Sequence, residues 1–291
     1  MNRILQDLVS LLDLETLEQN LYRGQSRDLG GKSVFGGQVI GQALVAAGRT
    51  LEGRVPHSLH AYFLRPGDMA MPIVYEVDRV RDGNSFATRR VQAIQHGQPI
   101  LSMMTSFQKP EGGLEHQAQM PDVQPPEQLK SWDQLAEEWL ALMPGVPERI
   151  RQAAFRPTAI EFKPVSPWNP LKPEQRAPQQ AIWFRAGGRL PDDPMLHQCV
   201  LAYASDFNLL STALLPHGRG WLEPGMAVAS IDHAIWFHRE VRADDWLLYA
   251  MDAPTAQAAR GLSRGQIFDR QGRLVASVAQ ESLMRYLPSQ S

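Results

Sequence analysis

The sequence predicts an α+β fold in which one plan is used twice in tandem. Residues 34–50, "VFGGQVIGQALVAAGRT", and 197–215, "HQCVLAYASDFNLLSTALL", both repeat apolar residues at helical spacing. Each is followed by strand-like segments punctuated by glycine turns. The two halves can be laid on each other with Gly97 on Gly272, which places Ser102 on Ser277, Thr105 on Gln280 and Ser58 on Ser230.

The elements follow in chain order. At the N-terminus, Ile4, Leu5, Leu8, Leu11 and Leu12 recur at helical spacing and predict an amphipathic helix packed on the body. Asp7, Asp13, Glu15 and Glu18 interrupt any secretory apolar run. The first long helix is apolar at Val39, Ile40, Ala43, Leu44, Ala46 and Ala47 and is entered through Gly36 and Gly37. Strands follow in "HSLHAYFL", "IVYEVDRV", "FATRRVQAIQ" and "ILSMMTSFQ", with turns at Asp82-Gly83 and His96-Gly97. In the second copy, Val200, Tyr203, Phe207, Leu210 and Leu214 mark the helix. Its strands are "VASIDHAIWFH", "DWLLYAMD", "GLSRGQIFD" and "RLVASVAQESLMR", with a turn at Gln271-Gly272. One lead strand is expected before each helix.

Between the copies, "KPEGGLEHQAQMPDVQPPEQ" reads as a linker, and "SWDQLAEEWLALM" (131–143) as a helix capped by Ser131. The chain therefore divides into an N-terminal unit (1–110), a linker with a short helix (111–157) and a C-terminal unit (158–288). The proline-rich run 163–180 forbids helix and reads as a long loop, either bordering a site or a surface insertion.

Composition narrows the function classes. The 291 residues carry a net charge of −2 with 43% hydrophobic and 21% charged residues, as in a folded soluble protein with no basic surface that would call for nucleic acid. The single cysteine, Cys199, forbids an internal disulfide and any Cys/Cys metal spacing. It reads as a small buried hydrophobe and favours a reducing, cytoplasmic setting. No apolar run approaches the ~20 residues of a membrane span. The C-terminal "PSQS" carries no address tripeptide.

Residues 228–240, "VASIDHAIWFHRE", gather Ser230, Asp232, His233 and His238 as if for a hydrolase triad. Strand alternation argues against one. Ser230 and Asp232 share a face roughly 6.6 Å apart, His233 points the other way, and His238 lies about 26 Å along. "GLSRG" (261–265) matches a nucleophile elbow, yet a hairpin follows it rather than a helix, so Ser263 reads as a strand residue. Polar residues on apolar faces point elsewhere. Gln280 falls in line with Leu274, Ala276, Val278 and Met284, and Asp206 with Cys199, Tyr203 and Leu210. Burial there demands hydrogen bonds, which serve either a site or the fold alone. The first copy has no acidic residue between Lys32 and Glu52 and carries Thr105 where the second carries Gln280. A working set of Asp206, Ser230 and Gln280 would thus occur once per chain.

"VFGGQVIGQAL", "HSLHAYFLRPGD", "RDGNSFATRR", "ASDFNLL", "SIDHAIWFHR" and "VASVAQESLMR" give the chain a near end-to-end resemblance to the acyl-CoA thioesterase II family, closest to its bacterial members. The resemblance implies a double hotdog, two units each with a long helix wrapped by antiparallel sheet. It also implies hydrolysis of fatty acyl-CoA to fatty acid and CoA, with no metal or redox cofactor. Asp206, Ser230 and Gln280 are implied to activate a water, with serine where the family often has threonine. A homo-oligomer of double-hotdog chains is a further implication. His57 and His60 read as strand histidines, and of Arg89 and Arg90 at most one would meet CoA phosphates. Two rivals stand beside this reading. A hotdog enoyl-CoA hydratase would use an Asp–His dyad, which adjacent Asp232 and His233 suggest. A non-catalytic acyl-CoA-binding module would release no CoA.

Overall fold

The computed structural model describes residues 3–29, 31–143, 145–148, 150–151 and 158–287. Helix α1 (Arg3–Leu12) buries Leu5, Leu8, Leu11 and Leu12 on one face, as the spacing predicts. A short hairpin follows, β1 (Glu15–Glu18) and β2 (Leu21–Gly24), so the lead element before the helix is a strand pair rather than one strand. Helix α2 (Gly36–Gly48) comes next, then β3 (Val55–Phe63), β4 (Ile73–Asp82), β5 (Phe86–Gln95) and β6 (Gln98–Gln108). The second half repeats this order. A lead pair β7 (Ile160–Pro164) and β8 (Gln179–Ala186) precedes helix α4 (Pro194–Ser205), a short α5 (Leu209–Leu214), and strands β9 (Met226–Ser230), β10 (Asp232–Phe237), β11 (Leu247–Gln257), β12 (Arg260–Asp269) and β13 (Leu274–Tyr286). Between the halves, α3 (Trp132–Leu142) starts at the predicted cap. Ser131 Oγ accepts from Gln134 N–H, and the Gln134 side chain accepts from Ser131 N–H.

The strands form one antiparallel sheet in the order β1-β2-β4-β5-β6-β3-β10-β13-β12-β11-β8-β7, with β9 also on β13. The halves join where β3 pairs β10, His60 opposite Ala234, so the second half retraces the first about this seam. Helices α2 and α4 lie against each other on the sheet. Their contacts are antiparallel: Gly37 meets Tyr203, Gly41 meets Cys199 and Gly48 meets Met195. A Cβ on Gly37 would stand 2.3 Å from the Tyr203 carbonyl oxygen, so glycine is required for this approach. The buried glutamines of α2 have structural work: Gln38 and Gln42 both donate to the Gln25 carbonyl, and Gln42 accepts from Tyr75.

Two departures from the sequence reading, the break in a helix and the split of a strand, matter for the site. The predicted helix 197–215 breaks after Ser205, because Asn208 adopts φ 71°, a left-handed conformation that asparagine tolerates. Counted through this break, 194–217 is long and apolar enough to cross a bilayer, contrary to the expectation of no such run; its most apolar window is 78% buried within the fold. The predicted strand 228–238 is two strands separated at Ile231. The linker packs on the sheet. Met120, Val123 and Leu129 pack on Trp183, Trp246, Leu248 and Phe268, and Gln124 O accepts from the Trp183 indole.

Candidate active site

The ends of two helices and the centre of the sheet converge on Asp206. As the residue that closes α4, it lies beside the first turn of α2, where its Oδ2 accepts from Gly37 N–H at 2.8 Å. A carboxylate at a helix N-terminus is favoured by the unpaired N–H groups and by the helix dipole. Gly36 leaves room for it, since a Cβ there would lie 2.7 Å from Asp206 Oδ2. Ser230, the last residue of β9, places Oγ 3.4 Å from Asp206 Oδ1. Gln280, in the middle of β13, donates from Nε2 to Ser230 Oγ at 3.0 Å and to Ser282 Oγ at 3.1 Å. The structure thus brings Asp206, Ser230 and Gln280 together from positions 24 and 50 residues apart.

Strand alternation misassigns the neighbouring histidine. Ser230 pairs with Ser282, whereas Ala234 pairs with Ala279, so the β9–β10 side carries one residue more than β13. This is a β-bulge at Ile231, whose N–H donates to Glu281 O while its carbonyl accepts from Phe63 N–H. The extra residue inverts the alternation, and His233 turns to the same interior face as Ser230. There it is fully buried, with Nδ1 2.7 Å from Gln280 Oε1, Nε2 2.9 Å from Ser205 Oγ, and Nδ1 4.0 Å from Asp206 Oδ1. The signal that would have revealed it is the run "SIDH", which cannot keep both Ser230 and His233 inward without a bulge.

The electrostatics follow from burial. Desolvation pushes the Asp206 carboxyl above its ordinary pKa, opposed in turn by His233, Gly37 N–H and Ser230. Burial pushes His233 down, against the pull of Asp206. Asp206 and Ser230 open onto a cavity of about 860 Å³, while Gln280 and His233 stand behind its wall. Its apolar lining includes Phe35, Phe63, Phe162, Trp168 and Trp221, so the proline-rich loop does border the site. Lys32 and Arg65 also face it, on loops joined by Val34 N–H donating to Gly67 O. Among the described residues no cluster of three His, Cys, Asp or Glu is placed to hold a metal.

The remaining candidates have local partners. Asp232 accepts from Glu281 N–H, and His238 meets Ser277 Oγ. Ser263 donates to Leu209 O from a buried strand position. His57 meets Ser106 Oγ, and His60 stacks edge-on to Trp236. Arg90 pairs with Asp78 at the surface. Arg89 is instead buried, donating to Thr50 Oγ1 and Asp82, which removes it from any role at a phosphate.

The first half has no matching set. Strand β3 carries its own bulge at His57, where the pairing steps from Pro56–Phe107 to Ser58–Ser106. Superposing the two bulges corrects the overlay made on sequence: Ser230 corresponds to Pro56, not Ser58, and His233 to the buried Leu59. Thr105 does fall on Gln280 and donates to the Ser58 carbonyl. Across the ladder from Thr105 stands Arg89, where Ser263 stands opposite Gln280.

Comparison with known proteins decides the family. A family model for acyl-CoA thioesterase matches residues 154–283, and one for the acyl-CoA thioesterase N-terminal domain matches 25–108. The chain is 43% identical to acyl-CoA thioesterase 2 of Haemophilus influenzae over 287 residues, covering 98% of this chain and 99% of that one. It is 41% identical to human acyl-coenzyme A thioesterase 8, covering 98% and 90%. The chain belongs to the acyl-CoA thioesterase II family. A solved acyl-CoA thioesterase II of Mycobacterium marinum aligns with a TM-score of 0.78 at 42% identity, over 98% of this thioesterase and all of that chain. A hot dog fold protein of Alicyclobacillus acidocaldarius aligns with a TM-score of 0.73 at 18% identity, which shows the same fold. The thioesterase is therefore a double-hotdog hydrolase of acyl-CoA thioesters, and the hydratase and binding-module alternatives fall away.

Proposed function

We propose that this thioesterase hydrolyses fatty acyl-CoA to fatty acid and CoA by means of a water held against Asp206 and Ser230. The observation that carries the reading is the position of this carboxylate and hydroxyl on the wall of an apolar cavity. A thioester carbonyl is already electrophilic, so the water needs orientation and a proton acceptor. As the water oxygen bonds to the carbonyl carbon, Asp206 takes its proton. Collapse of the adduct breaks the C–S bond, and the carboxyl returns the proton to the departing sulfur. Gln280 acts through Ser230, since it lies behind the cavity wall. Gly37 N–H is already committed to Asp206, so the N–H of Gly36, a cavity-lining residue at the same helix start, is the oxyanion donor in this reading. Lys32 and Arg65, the cations among the cavity-lining residues, receive the phosphates of CoA, and the acyl chain runs toward Trp168 and Trp221.

Thiol release from acyl-CoA and from acyl-pantetheine, which lacks the nucleotide phosphates, tests this reading. Asp206→Asn should lower kcat on both about 10²–10⁴-fold. Lys32→Gln with Arg65→Gln should raise KM for acyl-CoA only. Hydrolysis retained by Asp206→Asn sinks the catalytic assignment; equal KM changes on both substrates sink the phosphate assignment.

The outer face of the seam, where Tyr62, Met104 and Trp236 are exposed, is the surface we assign to pairing with a second copy of the chain. The single cysteine agrees with a reducing, cytoplasmic setting.

A further inference from the structure

We infer that His233 is a positioning residue that sets the direction of the hydrogen-bond chain ending on Asp206. The inference rests on the catalytic assignment of Asp206 and Ser230 above. Four links connect the groups: Ser205 to His233, His233 to Gln280, Gln280 to Ser230, and Ser230 to Asp206. Every group in the chain except the carboxylate can both donate and accept, so two complete orders exist.

In the forward order Ser205 O–H donates to His233 Nε2, and Nδ1–H donates to the Gln280 carbonyl. The Gln280 amide then donates to Ser230, which is left to donate its own proton to Asp206. In the reverse order Ser205 donates to the Ala202 carbonyl, 3.0 Å from its Oγ, and accepts from Nε2–H. The Gln280 amide turns over, and Ser230 spends its proton on Gln280 instead of on Asp206. Only the forward order delivers the Ser230 proton to Asp206 and so supports the ionised carboxylate.

The position of the ring selects the forward order. Nδ1 lies 4.0 Å from Asp206 Oδ1, and a carboxylate at that distance favours the proton on the near nitrogen. With Nδ1 protonated, the 2.7 Å contact to Gln280 Oε1 holds the amide NH₂ toward Ser230 and Ser282. The first half supplies a control built into the fold. The equivalent buried position is Leu59, an apolar residue opposite Thr105. The histidine thus stands only in the half that also carries Asp206 and Gln280.

The test compares His233→Leu, His233→Asn and His233→Gln with the wild-type protein. The Asn amide nitrogen replaces Nδ1 as donor to Gln280, whereas the Gln amide nitrogen replaces Nε2. Loss of one hydrogen bond that acts on a charged group should lower kcat of His233→Leu about 10–100-fold with KM within about twofold. His233→Asn should recover most of kcat, and His233→Gln should not. Nitrogen-15 NMR of histidine-labelled protein should show His233 protonated on Nδ1, moving toward Nε2 in Asp206→Asn. Retention of kcat within about twofold by His233→Leu overturns the inference, as does a His233→Asn protein that melts like wild type yet is no better than His233→Gln. An Nε2–H tautomer in the wild-type protein overturns it too. If His233→Leu does not fold, the Asn–Gln comparison and the NMR decide alone. If wild-type protein releases no thiol, the catalytic reading fails, and the tautomer still tests the direction of the chain.

Discussion

Asp206 shows how a single residue couples stability to activity. Burial raises its pKa, so between the ordinary carboxylate range and the raised value the folded protein holds a proton that the unfolded chain has released. That contribution to stability is complete below the unfolded pKa and is lost as pH rises through the raised folded one. Above that raised value the ionised, buried carboxylate weakens the fold. Asp206→Asn should melt above wild type there, with the difference closing toward pH 4; thermal unfolding across this range checks it, and a lower melting point at its upper end contradicts it. In the same sense kcat/KM should fall on acidification through a limb above the usual carboxylate value. Asp206 and Gln280 were legible in the sequence because each is polar on an apolar stripe. His233 was not, because strand parity assigned it to the opposite face.

At the scale of elements, irregularities do the placing. The bulge at Ile231 turns Ser230 and His233 to one side, and the left-handed Asn208 ends the helical run so that Asp206 closes α4 instead of continuing it. Turns with glycine were readable, as at His96-Gly97, where both residues have positive φ. The β11–β12 turn was not. Ala258 and Ala259 adopt φ 48° and 57° without glycine or asparagine to mark them. Each alanine there carries a Cβ penalty of about 1 kcal/mol. The double change Ala258→Asn, Ala259→Gly should raise the melting temperature by a few degrees with activity unchanged. An unchanged or lower melting temperature would show that the turn is not strained.

The whole molecule is one sheet folded about the β3–β10 seam. Its outer face is treated unequally: the linker covers the flank around Trp183 and Trp246, while the seam leaves Tyr62 58% and Trp236 38% exposed. If a second copy covers the seam, Tyr62→Arg with Trp236→Arg should reduce the mass measured by light scattering to one chain. An unchanged mass, or a wild-type protein that is already single, removes that surface from consideration. The sequence by itself determined the duplication, the helix and hairpin order, the burial of Cys199 and the polar residues that had to find partners, because helical and strand periodicities are local properties. Only the tertiary structure decided which residues meet. Asp206 reaches Gly37 across 169 positions because the Gly37–Tyr203 contact lets two helix backbones touch, and His233 joins Gln280 because one extra residue inverts a strand's alternation. Neither close approach nor register is encoded by the period of side chains along a single segment.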